Sequence, residues 1–240
     1  MIDYLGKGGV VKNLTVEYAD TNDAAVDPKN EYTYFGGIVG FLDGGTIENC
    51  TVSGTIVQYN RVGGIVGTAL SGTVKNCTVT ADITSKAVTE GCHAASALGG
   101  YSYAGGIVAY VGNVSKSISD RLNIIGCKVE NATLRSNGWA SGGIFGWITI
   151  GTDVTIADCA LNQVNVSSIN YYCGVLGGYV RAQTVTVTNL TVSGTNTVTS
   201  DTPSPNEKIV ENGVVIIDQI ASENTIKGKV IYNGTTYESN

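Results

Sequence analysis

Histidine occurs once in these 240 residues, at position 93, proline three times, and charged side chains make up only 14%. Each scarcity removes a class of function. One histidine and no CxxC pair leave no zinc-ligand set, so no metal and no cofactor is expected. Fourteen lysines and arginines against twenty acids give a formal charge of −6 and no basic run, which argues against nucleic acid as a partner. No apolar stretch approaches the ~20 residues of a membrane-spanning helix. Met1-Ile2-Asp3-Tyr4 has neither the basic start nor the apolar segment of a signal peptide. The chain is therefore expected to be soluble as it stands, without membrane insertion, and to be either the product of leader removal or part of a larger polypeptide.

What is abundant is glycine, 32 residues, nearly twice the roughly 7% of ordinary proteins. With threonine, valine and asparagine also frequent, this composition suits short strands and tight turns. The expected class is all-β.

One stretch recurs. Gly36-Gly37-Ile38-Val39-Gly40, followed by Thr46-Ile47-Glu48-Asn49-Cys50-Thr51-Val52, returns as Gly63-Gly64-Ile65-Val66-Gly67 with Thr73-Val74-Lys75-Asn76-Cys77-Thr78-Val79. Further copies open at Gly105 and Gly142, and a degenerate fifth is read at Cys173-Gly174-Val175-Leu176-Gly177. Lys7 to Val16 matches only the second half, so the first coil is incomplete. Variable spacing between copies implies a constant core with loop insertions, near 17–31, 85–100 and 112–123.

Within the core, Ile47, Cys50, Val52 and Ile56 alternate with Glu48, Thr51, Ser53 and Thr55, with one break of phase between Ile47 and Cys50. Alternation is the strand period and the break marks a corner. Three short strands per repeat make one turn of a triangular parallel β-solenoid, and no single turn can bury its apolar side, so turns must stack about 4.8 Å apart. The expectation is a right-handed parallel β-helix of about six coils over 1–200, the hand following the rule for parallel crossovers, with 201–240 as a C-terminal cap or final coil. Pro203 and Pro205 mark the break.

The Gly-apolar-apolar-Gly core at Gly37-Ile38-Val39-Gly40, with Ile47-Glu48-Asn49-Cys50 downstream, resembles the GLUG motif repeats of bacterial cell-surface proteins, over roughly Gly36 to Val192. Ala109 and Cys173 stand where that pattern has glycine. The resemblance implies a secreted or surface-anchored solenoid, often a non-catalytic part of an adhesin or large surface peptidase. It implies no catalytic residue.

Repetition also accounts for residues that look chemical. Cys50, Cys77, Cys127 and Cys159 share one repeat position with Leu14 and Leu190, and leucine replaces a buried apolar group, not a metal ligand; a column of inward thiols follows. Cys92 and Cys173 stand outside it, and a disulfide between them is left open. Asn13, Asn49, Asn76 and Asn189, each in an Asn-x-Thr triplet, resemble glycosylation acceptors but share a corner position where a ladder of side-chain amides is expected. Thr15, Thr51, Thr78 and Thr191 form an outward column that suits a strand surface, broken by Lys128 and Ala160.

Catalysis has little to stand on. Asp153 and Asp158 share one turn region, and Lys116, Asp120 and Arg121 share a loop, but none recurs on an adjacent coil to build a shared site. Asp20, Asn22, Asp23 and Asp27 lack the spacing of a calcium loop.

The aromatic residues carry the functional reading. Tyr32, Tyr59 and Tyr101 lie four positions before the first motif residue, Tyr34, Tyr103 and Tyr171 two before, and Trp139 three before. They are expected to line one edge, where the long insertions also enter, with Phe41, Tyr110 and Trp147 as a further column. Flat rings with a polar rim suit sugars and protein partners alike; the competing role is a ladder that only stacks on itself and seals the corner. The chain is thus read as a non-catalytic adhesion or glycan-binding module, secreted or at the cell surface, whose partner is a glycan or a host surface protein. The alternatives are a polysaccharide-degrading β-helix enzyme and a structural stalk.

Overall fold

A computed structural model describes residues 1–19, 33–87, 101–112, 120–181, 183–201, 209–222 and 226–239. Among these every regular element is a strand, and the strands form three sheets of 14, 7 and 5 members. The chain visits the sheets in rotation. Tyr34–Gly36 lies in the smallest sheet, Val39–Glu48 in the largest and Thr51–Tyr59 in the third, and the next passage repeats this with Arg61–Gly63, Val66–Lys75 and Thr78–Lys86. Each passage makes one layer, joined to the next by parallel pairing in all three sheets. The fold is all-β, parallel and solenoid-like.

The local reasons are in the repeat. The phase break after Ile47 is a corner at Asn49, whose φ of 54° is left-handed, and Asn13, Asn76, Asp158 and Asn189 adopt the same conformation in their layers. Asn49 donates to Asn13 Oδ1 at 3.3 Å and Asn189 to Asp158 Oδ1 at 2.9 Å, so the amide ladder forms at both ends of this column. Gly126 takes the position in between, and a side chain there would meet Asn76 Oδ1 at 2.5 Å.

The paired glycines answer two different demands. A Cβ on Gly36 would stand 2.0 Å from the carbonyl oxygen of Val39, three residues on, because the chain doubles back there from the smallest sheet into the largest. A Cβ on Gly37 would stand 2.2 Å from the carbonyl oxygen of Gly64 in the next layer.

Inside, like residues stack on like. Ile47, Val74, Ile124, Ile156 and Val187 form one fully buried column of the core. Cys50, Cys77, Cys127 and Cys159 are buried free thiols, each reaching the carbonyl oxygen two residues earlier at 3.3 to 3.6 Å. The outward threonine column runs in register from Thr15 through Thr51 and Thr78, then Lys128, Ala160 and Thr191.

Strand pairing corrects the reading of the fifth copy. Gly174, not Cys173, is level with Gly142, so Cys173 stacks on Ser141 and replaces no glycine. Gly177 then falls level with Phe145, and the Phe145 ring fills the space, since a Cβ on Gly177 would lie 2.1 Å from it. A larger side chain in one layer has displaced a smaller one in the next, which is why the fifth copy looked out of phase. Strands run up to the expected insertions, Thr15–Tyr18 before the first and Thr78–Lys86 before the second, and Asp120–Ile125, which holds Asp120 and Arg121, follows the third.

Beyond residue 201, Val214–Ala221 and Lys229–Tyr232 extend the largest sheet in parallel, whereas Ile209–Glu211 and Thr235–Glu238 fold back antiparallel upon them.

Candidate ligand-binding corner

Where the smallest sheet turns into the largest, each layer sets one side chain from each sheet against the other. The smallest sheet supplies Tyr34, Arg61, Tyr103, Ala140 and Tyr172 in register. The largest supplies Phe41, Thr68, Tyr110, Trp147 and Tyr179. Because the strand leaves the glycine turn with its side chains alternating, Tyr103, Tyr110, Ala140, Trp147 and Tyr179 form a buried cluster separate from the main core, with Tyr172 packed against it.

Ring contacts run along this corner. Tyr34 and Phe41 stand 5.5 Å apart, with Tyr4 stacked on Phe41 at 5.8 Å. Further along, Tyr103 meets Tyr110 at 5.3 Å and Trp147 at 5.4 Å, Trp147 stacks on Tyr179 at 3.9 Å, and Tyr179 meets Tyr172 at 4.5 Å. Tyr101 and Trp139 lie over this inner row, 5.1 Å apart, touching Tyr103 and Trp147. Tyr171 adds a contact to Tyr172 at 5.5 Å.

Exposure divides the rings. Tyr103, Tyr110, Trp147 and Tyr179 are 4 to 8% exposed and seal the corner. Tyr34, Tyr101, Trp139, Tyr171 and Tyr172 are half-buried, each keeping part of its surface in water. Burial pushes the Tyr103 phenol well above its ordinary range and raises Tyr110, while the guanidinium groups of Arg61 and Arg181 pull both the other way. Tyr172 is pushed up to about 12, by burial first and then by Tyr179, Tyr171 and Asp218. At neutral pH these phenols are protonated and can donate hydrogen bonds.

Of the residues singled out in the sequence, Tyr34, Tyr101, Tyr103, Trp139 and Tyr171 meet in this corner. Tyr59 does not join these ring contacts; it ends its strand half-buried with the Lys86 ammonium 5.4 Å from its ring centre. Tyr32 lies outside the described residues, as do His93, Cys92 with its pairing to Cys173, Lys116, and the segment holding Asp20, Asn22, Asp23 and Asp27.

The separate aromatic column at Phe41, Tyr110 and Trp147 is the opposite wall of the same corner. Sequence reasoning passed over Arg61, Thr68, Tyr172 and Tyr179. The signal was available, since Arg61 lies two before its first glycine, as Tyr34 and Tyr103 do, and Thr68 and Tyr179 five after, as Phe41 and Trp147 do. Also missed was a buried serine ladder, Ser85, Ser102 and Ser136, with hydroxyls 2.8 and 3.0 Å apart.

The carboxylates considered for catalysis hold neighbouring layers together. Asp153 accepts from the Gln183 amide, and Asp158 from Asn189. Arg121 lines an open groove of about 450 Å³ with Tyr4, Lys7, Asp43 and Asn123. Among the described residues, no group of three or more His, Cys, Asp or Glu side chains is placed to hold a metal ion.

Taken together, the stacked parallel sheets and in-register columns define an all-β repeat protein with an aromatic external corner. The family described as the GLUG motif matches residues 31–57 and 58–84, so two consecutive GLUG repeats lie in this chain, one per layer. No curated protein and no solved structure matches the chain.

Proposed function

We propose that the chain is a non-catalytic binding module of a secreted or cell-surface protein, in which a right-handed parallel β-helix of about six coils presents its aromatic corner to a glycan. The observation that carries this reading is the division of the rings. An inner row is buried and closely packed, Tyr101, Trp139 and Tyr172 rest on it half-exposed, and Tyr34 and Tyr171 extend this outer set. A rigid platform of partly bare rings can stack on sugar faces with little ordering cost. That Asp153 and Asp158 serve inter-layer bonds favours binding over hydrolysis.

A glycan array probed with the wild type and a Tyr101→Ala, Trp139→Ala double variant tests this, with folding followed by circular dichroism. Selective binding by the wild type, lost in the folded variant, is the expected result. A second reading, a structural stalk, is favoured by the burial of Tyr103, Tyr110, Trp147 and Tyr179; binding by neither protein would leave that reading standing and end the first.

A further inference from the structure

The aromatic corner has one polar layer. Between the Tyr34–Phe41 pair and the Tyr103–Tyr110 pair, the facing positions hold Arg61 and Thr68. The two aromatic pairs are two layers apart, roughly 10 Å at the usual spacing of strands, a gap on the scale of one sugar ring.

The groups in this gap have hydrogen-bonding capacity that the fold does not use. The Arg61 guanidinium lies 3.9 Å over the Tyr110 ring, and its Nε is buried without a hydrogen-bond partner. Beside it Thr68, 1% exposed, has a buried hydroxyl that is likewise unpartnered. Buried donors are almost always paired in folded proteins, and two exceptions in one layer of the corner call for a cause. At the rings next to this gap two cations act, for Arg181 as well as Arg61 bears on Tyr103 and Tyr110. Two acids bear on other rings of the corner, Asp3 on Tyr34 and Asp218 on Tyr172.

From this we infer that Arg61 and Thr68 form a subsite for the carboxylate of a hexuronate unit in a glycan. This rests on the aromatic corner being a glycan-binding surface, and adds which sugar it selects. A guanidinium reads a carboxylate through two parallel hydrogen bonds, and such a charge-assisted pair outweighs the cation–π contact that holds Arg61 over Tyr110 in the unliganded corner. Swinging off that ring frees Nε and uncovers the Thr68 hydroxyl as a further donor. The aromatic faces on either side stack on the sugar ring that carries the carboxylate. An Asp or Glu side chain would supply the charge without the flat ring, which is why a sugar acid suits this gap better than an acidic peptide.

Both tryptophans of the chain, Trp139 and Trp147, lie in this corner, so intrinsic fluorescence reports binding there. The experiment titrates a hexuronate oligosaccharide, the same oligosaccharide with its carboxyls reduced to hydroxymethyl groups, and poly-glutamate, against the wild type, Arg61→Gln, Arg61→Lys and Thr68→Val. The wild type should bind the acidic oligosaccharide about tenfold more tightly than the reduced one, less so at high salt. Arg61→Gln should remove that preference and keep the affinity for the reduced sugar; Arg61→Lys should restore part of it, and Thr68→Val should lower it. Equal binding of both sugars by the wild type, or a preference that survives Arg61→Gln, overturns the subsite while the aromatic corner stands. Binding of neither sugar overturns both. Poly-glutamate binding as tightly as the uronate overturns the sugar assignment. Should Arg61→Gln fail to fold, Arg61→Lys and Thr68→Val carry the test, an undiminished preference in both overturning the subsite.

Discussion

Asn49 shows how much of this protein is decided one residue at a time. Its φ of 54° is a conformation that costs most L-residues about 1–2 kcal/mol, and asparagine is among the few side chains that adopt it readily. The same corner is filled by Asn13, Asn76, Asp158, Asn189 and, once, Gly126. Asn49→Ala should therefore lower the free energy of unfolding by about 1–2 kcal/mol, and Asn49→Gly by less, as read by urea titration. Equal losses would mean that the amide ladder, not the backbone, is what asparagine supplies. The cysteines were equally legible. Leucine at the two ends of their column showed the position to be apolar, and burial raises the Cys50 thiol, while bonds to Cys159 and Cys77 together with burial raise Cys127.

At the scale of the strand and its turn, the motif is a constraint on contact between layers. Gly64 does not have a left-handed φ, but a Cβ there would stand 2.2 Å from the carbonyl oxygen of Gly106. Gly8 is the reverse case, with φ of 80° and nothing within 4 Å. Gly64→Ala should cost about 3 kcal/mol by forcing two layers apart, and Gly8→Ala about 1 kcal/mol through conformation alone; thermal unfolding of both separates the two causes. A small effect at Gly64 would show that the layers can shift to make room. The Phe145 and Gly177 exchange illustrates what a single sequence conceals: a compensation between layers leaves each copy of the motif looking irregular, and only pairing shows that the two irregularities are one event.

For the whole molecule, the consequence of stacking is that each layer is held mainly by its neighbours. Strands with partners on both sides, Val66–Lys75 and Lys128–Ser136, should show the slowest amide exchange, and Val10–Lys12 and Thr235–Glu238 the fastest. Hydrogen exchange followed by mass spectrometry checks this, and uniform protection along the chain would contradict nearest-neighbour stability. The end that begins the stack is also the more apolar. Met1, Ile2, Tyr4, Val10 and Leu14 are exposed there, where the first strands have a partner on one side only among the described residues.

Sequence alone was enough for the strand period, the corner, the inward thiols and the presence of repeats, because each is a property of spacing that every copy restates. It also placed most of the aromatic rings at one edge. Tertiary structure decided the rest: which of two adjacent tyrosines, Tyr171 or Tyr172, enters the column, that the two aromatic columns are facing walls of one corner, and that Arg61 and Thr68 interrupt it with unused donors. The physical reason is register. A sequence shows how residues alternate along a strand, but which residues meet across the turn between two sheets depends on pairing between layers, and that is set by how the side chains of adjacent layers fill each other's space.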